Sequence, residues 1–161
     1  MKGSIYAMIF TLLTFVPLAS SQTIVKEGPF DSEAIKLELV AKYEIFNGRL
    51  ENQTVAMWDT YFLRSPNIGN MHEGHPEIGW ETVHKGSIGF VKSKPTGEMI
   101  IADIECYPIN SNTAWVRGKM VVRSGNQVLE ARFYDSLVKT VEGWRVILSM
   151  VSPEHRKEED S

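Results

Sequence analysis

The residue of greatest chemical interest in this chain is an aspartate on what reads as an apolar face. Between Glu98 and Ser152 the sequence alternates as four β-strands joined by three tight turns, and Asp135 falls in the inward set with Cys106, Val116 and Met150. A carboxylate placed there must be hydrogen-bonded, line a wet cavity, or carry a raised pKa because desolvation penalises its charge. A raised pKa makes it a usable acid or base near neutrality. Two plainer outcomes fit the same pattern: a bulge that turns Asp135 outward, or a purely structural partner.

Other groups offer less. His72, His75 and His84 lie close in sequence, but His72-Glu73-Gly74-His75 lacks the helical spacing that sets two metal ligands on one face. They read as surface-loop histidines, and no metal site is expected. His72 is a separate case, since a short strand over residues 68–73 should border a pocket, where the imidazole can serve as a base or hydrogen-bond donor. Tyr61 and Trp80 are placed at the pocket mouth, each with an apolar body and a polar tip. Trp58, Trp115 and Trp144 read as core. Cys106 is the only cysteine, which excludes an intrachain disulfide; it should point inward as a small, inert hydrophobe.

The elements that position these residues follow from turn chemistry. Gly125-Asn126 suits a two-residue hairpin turn, pairing Val122 with Leu129, Met120 with Ala131 and Gly118 with Phe133. A three-residue loop, Asn110-Ser111-Asn112, then sets Ile104 against Gly118 and Ala102 against Met120. The opposite face pairs Glu105 with Arg117, Asp103 with Lys119, and Lys119 with Arg132. This charge ladder explains those residues without catalysis, because a one-residue slip would flip every side chain. A last turn centred on Glu142-Gly143 pairs Leu137 with Leu148 and Asp135 with Met150.

Helices precede the sheet. Asp31 or Ser32 can cap a helix whose apolar face is Ile35, Leu39, Tyr43 and Phe46, ending at Asn47-Gly48. A second helix is expected over Glu51–Phe62 and a third from Pro76 to about Lys92. Helices first and one antiparallel meander after them predict an α+β domain with the helices on one sheet face.

Residues 1–21 read as a secretory signal peptide, with Lys2, an apolar run of about 14 residues, and Ala19 and Ser21 before a cut at Gln22. The run is shorter than the roughly 20 residues of a spanning helix. Residues 22–30 form an extension, 31–153 the domain and 154–161 a charged tail. The protein should be periplasmic or secreted. Asn52-Gln53-Thr54 is a sequon of consequence only in a eukaryotic host. The 161 residues carry a net charge of -3 with both signs interspersed, so neither a nucleic-acid partner nor, after cleavage, a membrane is expected.

This element order resembles the nuclear transport factor 2-like superfamily. LELVAKYEIFNGRLENQTVAMWDTYF, IGWETV and the ending SLVKTVEGWRVILSMVSP are similar to its SnoaL-like branch. The resemblance implies a cone in which three N-terminal helices and a curved antiparallel sheet enclose a pocket, and an outer sheet face where two subunits meet. Members include ketosteroid isomerases, polyketide cyclases, dehydratases, epoxide hydrolases and plain binding modules, so function rests on the site. An isomerase-type base would be an aspartate in the strand after the second helix. Here Ile68-Gly69-Asn70-Met71-His72-Glu73 has none, and no Asp-Arg-Asp set is present. Three readings follow: an exported domain binding a small apolar or amphipathic molecule; a cofactor-independent isomerase, cyclase or dehydratase using Asp135 with His72 or Tyr61; or a homodimeric interaction module with a filled core.

Overall fold

A computed structural model describes residues 23–26, 28–72 and 74–154. The proposed signal peptide and nearly all of the charged tail lie outside the described residues.

Helix α1 (Ser32–Glu44) starts at Asp31, whose carboxylate accepts from the backbone N–H of Glu33 at 3.1 Å and Ala34 at 3.0 Å. This satisfies donors that the first helical turn leaves free. Ile35, Leu39 and Tyr43 form its buried face, continued by Phe46. A short strand β1 (Gly48–Arg49) and a 3-10 turn at Leu50–Asn52 follow, then helix α2 (Val55–Asp59). The expected helix over 51–62 is therefore broken. Thr54 caps α2 by accepting from Met57 N–H at 3.3 Å, and a side-chain cap of this kind starts a helix afresh.

Strands β2 (Gly69–His72) and β3 (His75–Ile78) precede helix α3 (Trp80–Lys92). Pro76 lies in β3 rather than opening the third helix. β3 is at the sheet edge, where a residue without an N–H is tolerated. Gly79, at φ +86°, supplies the left-handed step between strand and helix.

The long strands β4 (Glu98–Asn110), β5 (Thr113–Ser124), β6 (Gln127–Thr140) and β7 (Gly143–Pro153) form the meander. The sheet order is β1-β4-β5-β6-β7-β2-β3, and β2 runs parallel to β7. The architecture is thus α+β with a curled, mixed seven-stranded sheet, not a purely antiparallel one. Its inner face carries the core: Ala114 and Val116 of β5, Phe133 and Leu137 of β6, and Val146 of β7 pack with the buried residues of α1 and with Val83 of α3.

Between β5 and β6 the pairing is the one expected from the Gly125-Asn126 turn, including Gly118 opposite Phe133 and Val116 opposite Asp135. The other two hairpins differ. In β4 the register shifts between Ala102 and Glu105, with Asp103 at φ +52°. Ala102 consequently faces Lys119, and Ile101 takes the place opposite Met120. The extra residue changes the phase of the strand and sharpens its twist, turning the larger Met99 and Ile101 inward. Glu105 still meets Arg117 at 2.8 Å, but Lys119 pairs with Glu130 at 2.8 Å rather than with Asp103.

In the last hairpin Thr140 pairs with Gly143, one step earlier than expected, and a shift after Leu137 leaves Ile147 unpaired. Leu137 then faces Val146, and Asp135 faces Ser149. Met150 is turned to the outer face, where it is 39% exposed.

The start of the described chain fastens the far ends of two hairpins. Val25 N–H donates to the Lys139 carbonyl at 3.0 Å, and Asn112 Nδ2 donates to the Val25 carbonyl at 2.9 Å.

Candidate functional site

Helices and sheet line a half-open cavity of about 610 Å³. Met99, Ile101, Met120 and Val122 form one wall, Phe133 and Val151 continue it, and Phe46, Trp58 and Phe90 close it from the helical side. A mostly apolar cleft of this size with a few converging polar groups is the ordinary form of a small-molecule site.

The polar groups sit at one end. Tyr43, from the buried face of α1, donates its hydroxyl hydrogen to Asp135 Oδ2 at 2.6 Å, and Tyr61, just after α2, donates to the same oxygen in a shorter contact. Aromatic packing aims both phenols. Tyr43 stacks on Phe133 at 5.1 Å and meets Tyr61 edge-on at 6.0 Å. Phe133 fits only because Gly118 lies beneath it, where a Cβ would stand 2.6 Å from the ring. Asp135 itself is 0% exposed, while Tyr43, Tyr61 and Ser149 line the cavity above it. Its Oδ1 has no hydrogen-bond partner, although Ser149 stands directly across on β7 with a hydroxyl able to turn toward it.

Burial raises the Asp135 pKa; the hydroxyls of Tyr43, Tyr61 and Ser149 and the charge of Lys42 oppose this. Burial, then the adjacent carboxylate, pushes both phenols well above their usual range, so they remain neutral donors. Lys42 supports the arrangement from behind. Its Nζ donates to the Thr60 and Tyr61 carbonyls at 3.1 and 3.3 Å and lies 4.8 Å from the centre of the Tyr61 ring. Burial lowers its pKa to about 7, with Arg145 adding to the effect and Asp135 opposing it. The two carbonyl acceptors favour the ammonium, and the side chain keeps some contact with solvent.

A second polar set lies at the sheet edge. Asn70 and His72 of β2, with His75 and Glu77 of β3, all line the cavity. Asn70 Nδ2 donates to Glu77 Oε2 at 2.8 Å, and the other Glu77 oxygen lies 3.6 Å from where a Gly86 Cβ would be. Cross-strand pairing puts Asp135, Ser149, Asn70 and Glu77 in one row over four strands.

The residues expected to form the site are dispersed in part. Asp135 and Tyr61 meet directly, and His72 stands at the exposed rim opposite His75. Val116 is fully buried beside Asp135, and half-buried Cys106 is one strand further on; neither reaches the cavity wall. Burial raises the Cys106 pKa. Met150 is excluded by the Ile147 bulge. Trp80 is also outside the wall. As the first residue of α3 it is one turn short of Val83, and it stacks on His84 at 4.3 Å with the Arg64 guanidinium 5.5 Å away. His84 meets Asp59 at 2.6 Å.

Tyr43, Ser149, Asn70 and Glu77 were not singled out from the sequence. A signal for Tyr43 did exist: it is the one phenol on the apolar face of α1, and a buried hydroxyl needs a partner as much as a buried aspartate does. The two misfits satisfy each other. Glu77 is hidden by the expectation of a helix starting at Pro76, and with it the strand pairing that sets Glu77 beside Asn70.

Among the described residues no group of three or more His, Cys, Asp or Glu could hold a metal ion, and no helix is long and apolar enough to cross a membrane.

No protein-family model and no curated protein matches the chain. Solved structures do. A protein of unknown function from Mycobacterium tuberculosis aligns with a TM-score of 0.64 at 17% identity, covering 80% of this chain and 77% of its own. A nuclear transport factor 2-like protein of unknown function from Shewanella oneidensis aligns at 0.60 and 16%, covering 75% and 98%. A protein with a provisional scytalone dehydratase assignment, from Novosphingobium aromaticivorans, aligns at 0.56 and 13%, covering 76% and 83%. At these identities the likeness shows the fold, which is that of nuclear transport factor 2-like proteins.

Proposed function

We propose that this is an exported domain that binds a small apolar or amphipathic molecule in a cone between sheet and helices. The observation that carries the reading is the cavity of about 610 Å³, apolar over most of its wall and ending on Tyr43, Tyr61 and Ser149 above Asp135. A ligand would bury its skeleton against the aromatic and methionine side chains and take its orientation from the hydroxyls. The test is a thermal-shift screen with naphthyl, steroid and medium-chain acyl compounds, on the wild type and on Met120→Trp, which fills the cavity. Ligands should raise the wild-type Tm and leave the filled variant unmoved. Equal shifts in both proteins, or none in the wild type, reject the reading.

The second reading is an enzyme of the isomerase, cyclase or dehydratase kind, without a cofactor. It is favoured by the row that ends in Asp135 and Glu77, two carboxylates in different surroundings, since acid and base roles are separated in this way. Its fold neighbour with the provisional dehydratase assignment is consistent with that chemistry. A panel hit that is converted by the wild type, and converted much more slowly by Glu77→Gln, would select this reading over simple binding.

Assembly as a homodimer through the outer sheet face is proposed on separate grounds. Tyr107 of β4, Trp115 of β5, Leu148 and Met150 of β7 and Met71 of β2 are all at least 39% exposed on that face. Exposed apolar patches of this kind mark association surfaces. Sedimentation should give a dimer for the wild type and a monomer for Trp115→Glu; a wild-type monomer rejects the interface. Export itself is checked by the N-terminal mass of the mature protein, which should begin at Gln22.

A further inference from the structure

The two ends of the cavity differ in how their carboxylates are answered. At one end Asp135 is held by two phenols, with Lys42 behind Tyr61. At the other end the strand His75-Pro76-Glu77-Ile78 alternates, so that His75 and Glu77 turn inward and line the cavity. Glu77 is half-buried, and its Oε2 accepts from the neutral amide of Asn70 at 2.8 Å. Among the described residues it enters no ion pair, and no lysine or arginine lines the cavity. Glu77 is the one carboxylate of that wall, and it has no cation.

The surroundings of its second oxygen are open. Gly86 on α3 faces Oε1, which lies 3.6 Å from where a Cβ would stand, so the oxygen borders cavity rather than a side chain. Ser87 gives its hydrogen to the Val83 carbonyl at 3.2 Å, which leaves its oxygen as an acceptor. Phe90, one turn beyond Gly86 on the same helical face, adds an aromatic ring to the wall. An ammonium group suits all three, with donor hydrogens for the oxygens, a charge for the carboxylate and attraction to a ring face. A ligand carboxylate would instead meet Glu77 with like charge. An inward charge on an edge strand also discourages edge-to-edge pairing. That role is met by a carboxylate packed against α3 and does not call for the space that Gly86 leaves.

We propose that the cavity takes amphipathic amines, with the ammonium group paired to Glu77 beside Gly86 and the apolar body along the wall toward Ser149 and Tyr61, and that it rejects carboxylate-bearing amphiphiles. Ser149 and Glu77 stand two strands apart, roughly 10 Å, a span that a bicyclic skeleton with a two-carbon arm covers. The proposal rests on the binding reading above and names the ligand class of that site.

The test compares 2-(2-naphthyl)ethylamine, 2-(2-naphthyl)ethanol and 2-naphthylacetate by calorimetric titration of the full mature protein at pH 8. The amine should bind at least about fivefold more tightly than the alcohol, the worth of one part-exposed ion pair, and the carboxylate more weakly than either. Added salt should shrink the preference. Glu77→Gln should bring the amine to the affinity of the alcohol while leaving the alcohol unmoved. Should that variant fail to fold, Gly86→Leu, which fills the space beside Oε1, should weaken the amine more than the alcohol. Equal binding of amine and alcohol, tightest binding of the carboxylate, or an amine preference that survives both substitutions overturns the proposal and leaves the binding reading standing. Failure of all three probes to bind overturns the binding reading and the proposal together.

Discussion

Asp135 and Ser149 face each other across β6 and β7, and one unpaired residue, Ile147, makes that pairing possible. The bulge puts the serine hydroxyl rather than Leu148 opposite a fully buried carboxylate. Bulges are used in this way to re-aim a side chain at a site.

Replacing Ser149 by alanine removes that hydroxyl and leaves Oδ1 without any polar neighbour on β7. Stability in urea should fall by about 0.5–1.5 kcal/mol, the net worth of one hydrogen bond that the hydroxyl can turn to make. Ser149→Cys should recover less than half of the loss, since a thiol is a weak donor. Unchanged unfolding midpoints for both variants would remove Ser149 from the cluster.

Tyr43→Phe and Tyr61→Phe each delete a hydrogen bond to the same oxygen. Each should cost roughly 1.5–3 kcal/mol at neutral pH, as bonds to a charged group do. The double variant should not be additive, because the second phenol strengthens its bond once the first is gone. The measurement is a double-mutant cycle by denaturant unfolding, and strict additivity contradicts the shared acceptor.

Gly118→Ala forces a methyl into the Phe133 ring, which supports Tyr43. The expected loss is about 1–3 kcal/mol from overpacking. Phe133→Leu in the same chain should restore part of it. Weaker ligand-induced thermal shifts in Gly118→Ala would show that the ring positions the phenols.

The two perturbed charges act oppositely on stability. Asp135 has a raised folded pKa, so the native state binds the extra proton and stability falls as pH rises from 3.8 through that folded value. Lys42 has a folded pKa lowered to about 7 from 10.5, so the native state sheds its proton first and stability should rise between those values. Unfolding free energies measured across both windows should lose the acidic slope in Asp135→Asn and the alkaline slope in Lys42→Met.

Local chemistry made much of the scaffold legible. The Gly125-Asn126 turn fixes the β5–β6 register, so the opposition of Gly118 to Phe133 and of Val116 to Asp135 follows from residues read along the chain. The cap at Asp31 and the face Ile35, Leu39, Tyr43 follow in the same way, since both depend on near neighbours. Even the misfit of Asp135 among apolar residues is a property of alternation alone.

What the alternation does not contain is where a strand gains a residue. The shifts at Asp103 and Ile147 are set by how the sheet must curl to meet the helices, and each reverses the side-chain phase beyond it. The parallel seating of β2 against β7, which places Asn70 beside Ser149, is likewise a choice among distant partners. So is the meeting of Tyr43 with Asp135, 92 residues apart. The sequence by itself determined that one carboxylate would be buried on an apolar face. Tertiary packing decided which hydroxyls meet it, because those contacts depend on sheet curvature and helix docking rather than on neighbours in the chain.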